Sequence, residues 1–204
     1  MLTKTLRAAV VLLLLTLSAS AQKTMTVGIP TAEFNFASAA QMRTEWCWAA
    51  SIQMILNWYN VPVRQADVVD RIYGRTIDAA ASEDAITKAL TGTAYDRTQR
   101  KVHLSAHRYH GVPPSGWLLD ELGRQHPVLV TFRSSKTMLH AVVLTSAEYE
   151  TRKDGKVHIT ALTFRDPSPT IRGRKAAGAV RITGPQLAHF VRSVSSYYEV
   201  SVRV

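Results

Sequence analysis

The single cysteine of the chain, Cys47, stands in Thr44-Glu45-Trp46-Cys47-Trp48-Ala49-Ala50-Ser51, and it is the natural place to look for chemistry. If Thr44 caps a helix, Cys47 falls in the first turn, where unpaired backbone N–H groups and the helix dipole favour an anion. A thiolate is such an anion, and this placement predicts a thiol more acidic than the ~8.5 of free cysteine, the more so beside an imidazolium. A cysteine between two tryptophans on an apolar helix also fits a small buried hydrophobe. Its partners have to decide.

His140 is the first partner, inside Met138-Leu139-His140-Ala141-Val142-Val143-Leu144. A histidine in an otherwise apolar strand needs a hydrogen-bonding group to be tolerated there. Asp166 can supply it, at the end of a second strand-like run and immediately before Pro167. Positions 140 and 166 are equidistant from 153, inside the turn-forming Thr151-Arg152-Lys153-Asp154-Gly155, so a hairpin closed there sets His140 opposite Asp166. Residues so opposed lie roughly 5 Å apart, within reach of a carboxylate–imidazole hydrogen bond. A two-residue Asp154-Gly155 turn would slip that register, so a five-residue loop or a bulge is required. Every asparagine (Asn35, Asn57, Asn60) precedes the strand-rich half, which leaves Asp166 as the best orienter for a late histidine. Gln41, six residues before Cys47, offers a side-chain amide where the chain enters the helix. Next to a helix-start cysteine it could help hold an oxyanion.

The elements that must position these groups read as helices first and strands later. From Thr44, Trp48, Ile52, Ile55, Leu56 and Tyr59 share one helical stripe, and only Ser51, Gln53 and Asn57 interrupt the apolar surface after Glu45. Such a helix is buried on most sides. Pro62 ends it, a second helix runs from Arg64 to a stop at Gly74, Ser82 caps a third to about Leu90, and a fourth follows Pro113-Pro114. Val128 to Phe132, Met138 to Tyr149, Val157 to Phe164 and Tyr197 to Val204 read as strands, with one more helical turn at Gln186 to Val191. Helices preceding strands predict an α+β fold, a helical half with a buried cysteine-bearing helix against an antiparallel sheet half.

The chain has 204 residues, 46% of them apolar and 20% charged, with a formal net charge of +10. That is globular composition. Residues 1–21 stand apart. Lys4 and Arg7, the short apolar run Ala8 to Leu17 and the small residues Ala19-Ser20-Ala21 together predict a secretory signal peptide cleaved after Ala21. Residues 22–204 then form one domain of net charge +8, secreted or periplasmic, with no membrane association after cleavage. In an oxidising compartment a lone cysteine is an intermolecular link, an inert buried thiol or a reactive one.

At Gln41, Trp46-Cys47-Trp48-Ala49-Ala50-Ser51, His140 and Asp166-Pro167 the sequence resembles the papain-like cysteine peptidases, in particular their compact bacterial, exported and effector-type members. The resemblance spans roughly residues 38–170. It implies Cys47 as nucleophile, His140 as general base and acid, Asp166 as orienter and Gln41 as oxyanion donor, hydrolysing peptide or isopeptide bonds of a peptide or protein substrate through a Cys47 thioester. Plant and lysosomal relatives carry a second cysteine upstream, an asparagine orienter, a longer Cys-to-His interval than the 93 residues here, and a long propeptide where only 25 residues separate Gln22 from Cys47. Aspartate in third place leaves a transamidase or acyltransferase open, since these too use Cys-His-Asp. A papain-like scaffold kept for binding is the non-enzymatic alternative.

Other constellations carry less. His103, His107 and His110 have a spacing that a helix could use for metal, but their flanks suggest strand or loop and no HExxH is present. No metal or cofactor is expected. Arg97 to Lys101 and Arg172 to Lys175 are basic clusters, candidates for an anionic envelope polymer. Without aromatic interleaving or a nucleic-acid motif they do not predict DNA or RNA binding.

Overall fold

A computed structural model describes residues 23–135, 138–168 and 177–203. The signal-peptide segment and the Arg172 to Lys175 cluster lie outside the described residues. Eight strands form one antiparallel sheet: β1 (Met25–Gly28), β2 (Gly92–Tyr95), β3 (Lys101–His110), β4 (Val128–Arg133), β5 (Leu139–Thr151), β6 (Val157–Arg165), β7 (Ala179–Thr183) and β8 (Val194–Arg203). Their order is β2-β3-β8-β4-β5-β6-β7, and β1 pairs with the far half of β5. Among the described residues six helices accompany them: α1 (Thr31–Phe34), α2 (Cys47–Trp58), α3 (Gln65–Tyr73), α4 (Glu83–Ala89), α5 (Ser115–Gly123) and α6 (Gly184–Ser193).

The fold is α+β, as the period change predicts, but helices and strands are not segregated along the chain. β1 precedes the first helix and the β2–β3 hairpin intervenes between α4 and α5. These strands escape the reading because they are short or outward-facing. β3 alternates exposed and buried residues only over its first half.

Helices cover both sheet faces. Leu129, Ala141, Val143 and Tyr198 join a core with α2, α3 and α4, whereas Val130, Val142, Leu144 and Tyr197 join a second core with α5 and α6. A strand covered on both faces reads as a continuous apolar run, which is why Val128–Val130 and Ala141–Leu144 lack alternation. Between them lies the sheet centre that carries His140.

The three polar interruptions of α2 are all used. Ser51 Oγ donates to the Ala141 carbonyl (3.1 Å), Gln53 Nε2 to the Val63 carbonyl (2.8 Å) and Asn57 Nδ2 to the Ala37 carbonyl (3.4 Å). Each of the three side chains thus has a partner. Ser51 lies one turn after Cys47 and Ala141 immediately after His140, so that hydrogen bond fixes the cysteine helix to the histidine strand. Where β1 turns away from β5, Gly28 has φ +121°, and a Cβ there would meet the Thr145 carbonyl oxygen at 2.3 Å. Only glycine fits that approach.

Candidate active site

Helix α2 begins two residues later than the sequence predicts. Trp46, not Thr44, occupies the cap position, with no side-chain cap, and Cys47 is the first helical residue. The first helical hydrogen bond runs from the Ala50 N–H to the Trp46 carbonyl at 2.9 Å. The N–H groups of Cys47, Trp48 and Ala49 therefore precede the ladder, and the partial positive end of α2 falls at the thiol.

Two tryptophans fix that helix start. Trp46 Nε1 donates to the Ile77 carbonyl (2.8 Å) and Trp48 Nε1 to the Ala79 carbonyl (3.1 Å), while Asp78 Oδ1 accepts from the Glu45 N–H (2.9 Å). Both indoles are buried, so each N–H needs such an acceptor. The loop at 77–79 is thus part of the site's support, and nothing in its sequence announces it.

The hairpin closes through a five-residue loop, with Thr151 paired to Val157. Two irregularities, between Leu144 and Ser146 and between Glu148 and Tyr149, shift the register one way and back again. The net register pairs Val143 with Arg165, so the ladder runs on towards Val142 beside Asp166 rather than His140. His140 is therefore the diagonal neighbour of Asp166, two residues from the direct opposition expected. Diagonal neighbours on one face remain within reach of long side chains. His140 Nε2 stands 2.8 Å from Asp166 Oδ1, and both side chains are largely buried.

Asp166 Oδ1 also accepts from the Ser168 N–H at 2.9 Å. Burial alone would push its carboxyl up, but the hydrogen bonds from His140 and Ser168 outweigh it and hold the pKa below the ordinary carboxylate value. Burial likewise works against a charged His140. Hydrogen bonds to Asp166 and Cys47 overcome it and bring His140 up to about 9. With Nε2 on Asp166, the ring's Nδ1 is the nitrogen left for Cys47. Phe132, paired directly with His140 across β4 and β5, sets its ring edge-on at 5.5 Å between centroids.

Gln41, Cys47, His140 and Asp166 line one cleft of about 400 Å³. Gln41 is held there by its own N–H, which donates to the Pro167 carbonyl at 2.8 Å. Its side-chain amide donates to the carbonyls of Arg43 (3.0 Å) and Thr44 (2.7 Å), and its Oε1 is buried without a partner among the described residues. The resting Gln41 therefore has both N–H groups spent, and holding a substrate oxygen requires it to share or transfer one. His189 of α6 and Arg133 of β4 line the same cleft. Sequence reasoning missed both, since neither lies near the cysteine or histidine motifs.

Residues 33–179 match the Peptidase_C39 like family. The chain belongs to that family. It is thus a papain-like cysteine peptidase, a hydrolase by class. The C39-like peptidase is similar in fold to the peptidase domain of Streptococcus ComA, a bifunctional ABC transporter involved in quorum sensing. The two share 14% identity and a TM-score of 0.55, over 81% of this chain and 98% of that one. A second similar structure is a double glycine motif protease from an AMS/PCAT transporter in complex with its leader peptide (17% identity, TM-score 0.47, 80% of this chain and 91% of that one). No curated protein sequence matches the chain.

The remaining candidates separate from this site. His103 and His107 lie on one face of β3 and His110, by strand parity, on the other, so the helical spacing that could gather them on one metal does not form. In the first basic cluster, Arg100 is committed to partners within the fold. It pairs with Asp96 at 3.0 Å and donates to the Asn60 carbonyl.

Proposed function

We propose that the C39-like peptidase cleaves peptide bonds through a thioester on Cys47. The observation that carries this is His140 held between two groups of opposite use, with Asp166 on Nε2 and Cys47 at the start of α2 on its other side. The Cys47 sulfur attacks the scissile carbonyl carbon as its proton passes to His140, and the carbonyl electrons move to oxygen. The Cys47 backbone N–H and Gln41 stabilise that oxyanion. Collapse re-forms the carbonyl and breaks the C–N bond, the amine leaving with the proton from His140. Water then attacks the thioester, gives its proton to His140 and expels the sulfur. Asp166 keeps the ring in the required tautomer and orientation throughout.

The substrate class is a peptide or protein. An amine in place of water would make the same intermediate a transamidation, and a scaffold kept for binding would form no thioester. Incubating the purified protein with a peptide library and reading products by mass spectrometry separates the three. Hydrolysed peptides, lost in Cys47→Ala, support the proposal. Amine-ligated products or no products overturn it.

The protein acts outside the inner membrane after cleavage behind Ala21, on the pattern of Lys4, Arg7, Ala8 to Leu17 and Ala19-Ser20-Ala21. Exported material whose mass begins at Gln22 supports this, and material retaining residues 1–21 contradicts it.

A further inference from the structure

Gln65, the first residue of α3, is 1% exposed, an unusual burial for a glutamine. Its side chain is satisfied on both sides. Oε1 accepts from the Met42 N–H at 2.9 Å, and Nε2 donates to the Ala40 carbonyl at 2.8 Å. One amide thus grips the backbone immediately before and immediately after Gln41, as a neighbouring strand would. The second Nε2 hydrogen goes to Gln53 Oε1 at 2.9 Å. Gln53 belongs to α2, six residues beyond Cys47, and is itself tied to the Val63 carbonyl. On the opposite side the Gln41 N–H is bound to the Pro167 carbonyl, next to Asp166.

We infer that Gln65 is a positioning residue that holds Gln41 in register with Cys47. This rests on the reading of Gln41 as oxyanion donor. With its backbone held at Ala40, at its own N–H and at Met42, Gln41 can bring an N–H to the substrate oxygen by side-chain rotation alone. The resting arrangement offsets part of the cost of that rotation. Leaving Arg43 and Thr44 gives up two hydrogen bonds, but it also releases a buried carbonyl oxygen that has no partner among the described residues, a costly state for such a group. A backbone free to drift would spread that rotation over many positions, and misplacement of about 1 Å costs on the order of 10² in rate. An apolar residue of the same length would fill that space but leave the Met42 N–H, the Ala40 carbonyl and Gln53 Oε1 without this partner.

The test is a double-mutant cycle on the full protein. Gln65→Met keeps the volume and removes the three hydrogen bonds. It should lower peptide turnover by about 10-fold to 10² and weaken binding of a peptide aldehyde, whose adduct carries an oxyanion, by the same factor. Alkylation of Cys47 by iodoacetamide, which forms no oxyanion, should keep its wild-type rate. In a Gln41→Ala background Gln65→Met should cost nothing further, because its action passes through Gln41. An additive loss in that background, or a fall in alkylation to match turnover, overturns the inference and makes Gln65 ordinary packing. If Gln41→Ala itself leaves turnover unchanged, the oxyanion reading fails. Full turnover in Gln65→Met beside a damaged Gln41→Ala sinks the clamp alone. Should Gln65→Met not fold, Gln53→Met loosens the same clamp from α2 and is read in the same cycle, with a smaller loss expected.

Discussion

His140 Nε2 meets Asp166 Oδ1 at 2.8 Å although the two residues are not opposed across the β5–β6 ladder. The contact is diagonal, reached from just past the end of β6, where the turn at Pro167 and the Ser168 N–H aim the carboxylate. Replacing Asp166 therefore disturbs orientation without breaking a ladder pair. Asp166→Ala should fold, keep its thiol, and lose turnover. It also removes a group that raises His140, so the alkaline limb of kcat/KM, set in the wild type by a pKa of about 9, should move to lower pH. An unchanged profile would mean that another group orients the ring.

The same pair fixes a dependence of stability on pH. His140 rises from 6.5 to about 9 on folding, so its contribution is fully present below about 6.5 and is lost as pH climbs towards 9. Asp166 is lowered on folding, so its contribution is present above its ordinary value of 3.8 and is lost as pH falls below it. The stability difference between wild type and Asp166→Asn should be largest between about pH 4 and 6.5 and shrink by pH 9. Denaturant unfolding across that range gives the answer, and a difference flat with pH would contradict the ion pair.

Ser51 links the two halves of the site through the Ala141 carbonyl. Ser51→Ala leaves a buried carbonyl short of one donor, which costs about 1–3 kcal/mol. A lowered denaturation midpoint with turnover reduced beyond what the folded fraction explains is expected. A wild-type midpoint and rate would show that packing alone sets the distance between Cys47 and His140.

Much of this was legible in the sequence, for identifiable reasons. The apolar surface of α2, the αL stop at Gly74 and the Ser82 cap are local signals, and the structure keeps them. The hairpin loop length was legible because the turn residues between β5 and β6 are few. Its register was not, because the loop centres on Asp154 rather than Lys153, which moves every pair by two, and the turn residues there do not mark that one-residue difference. Thr44 failed as a cap because Gln41 takes its carbonyl and the chain turns once more before α2. Gln65, His189 and the 77–79 loop reach the site only through tertiary packing, which no pattern around Cys47 encodes.

Gln41 offers a sharp division between binding and chemistry. Gln41→Ala should cut peptide hydrolysis by about 10² to 10³, while alkylation of Cys47 by a small electrophile stays near its wild-type rate. Loss of both rates together with a lower Tm would make Gln41 structural.

The central claim is a thioester on Cys47, and rapid-quench mass spectrometry of the purified protein with a peptide ester tests it most directly. The account predicts an acyl adduct that forms before product, maps to the peptide containing Cys47, builds up in Asp166→Ala only slowly and never forms in Cys47→Ala. Hydrolysis that proceeds without any adduct and survives Cys47→Ala, or a thiol that reacts only once the protein is unfolded, would contradict it.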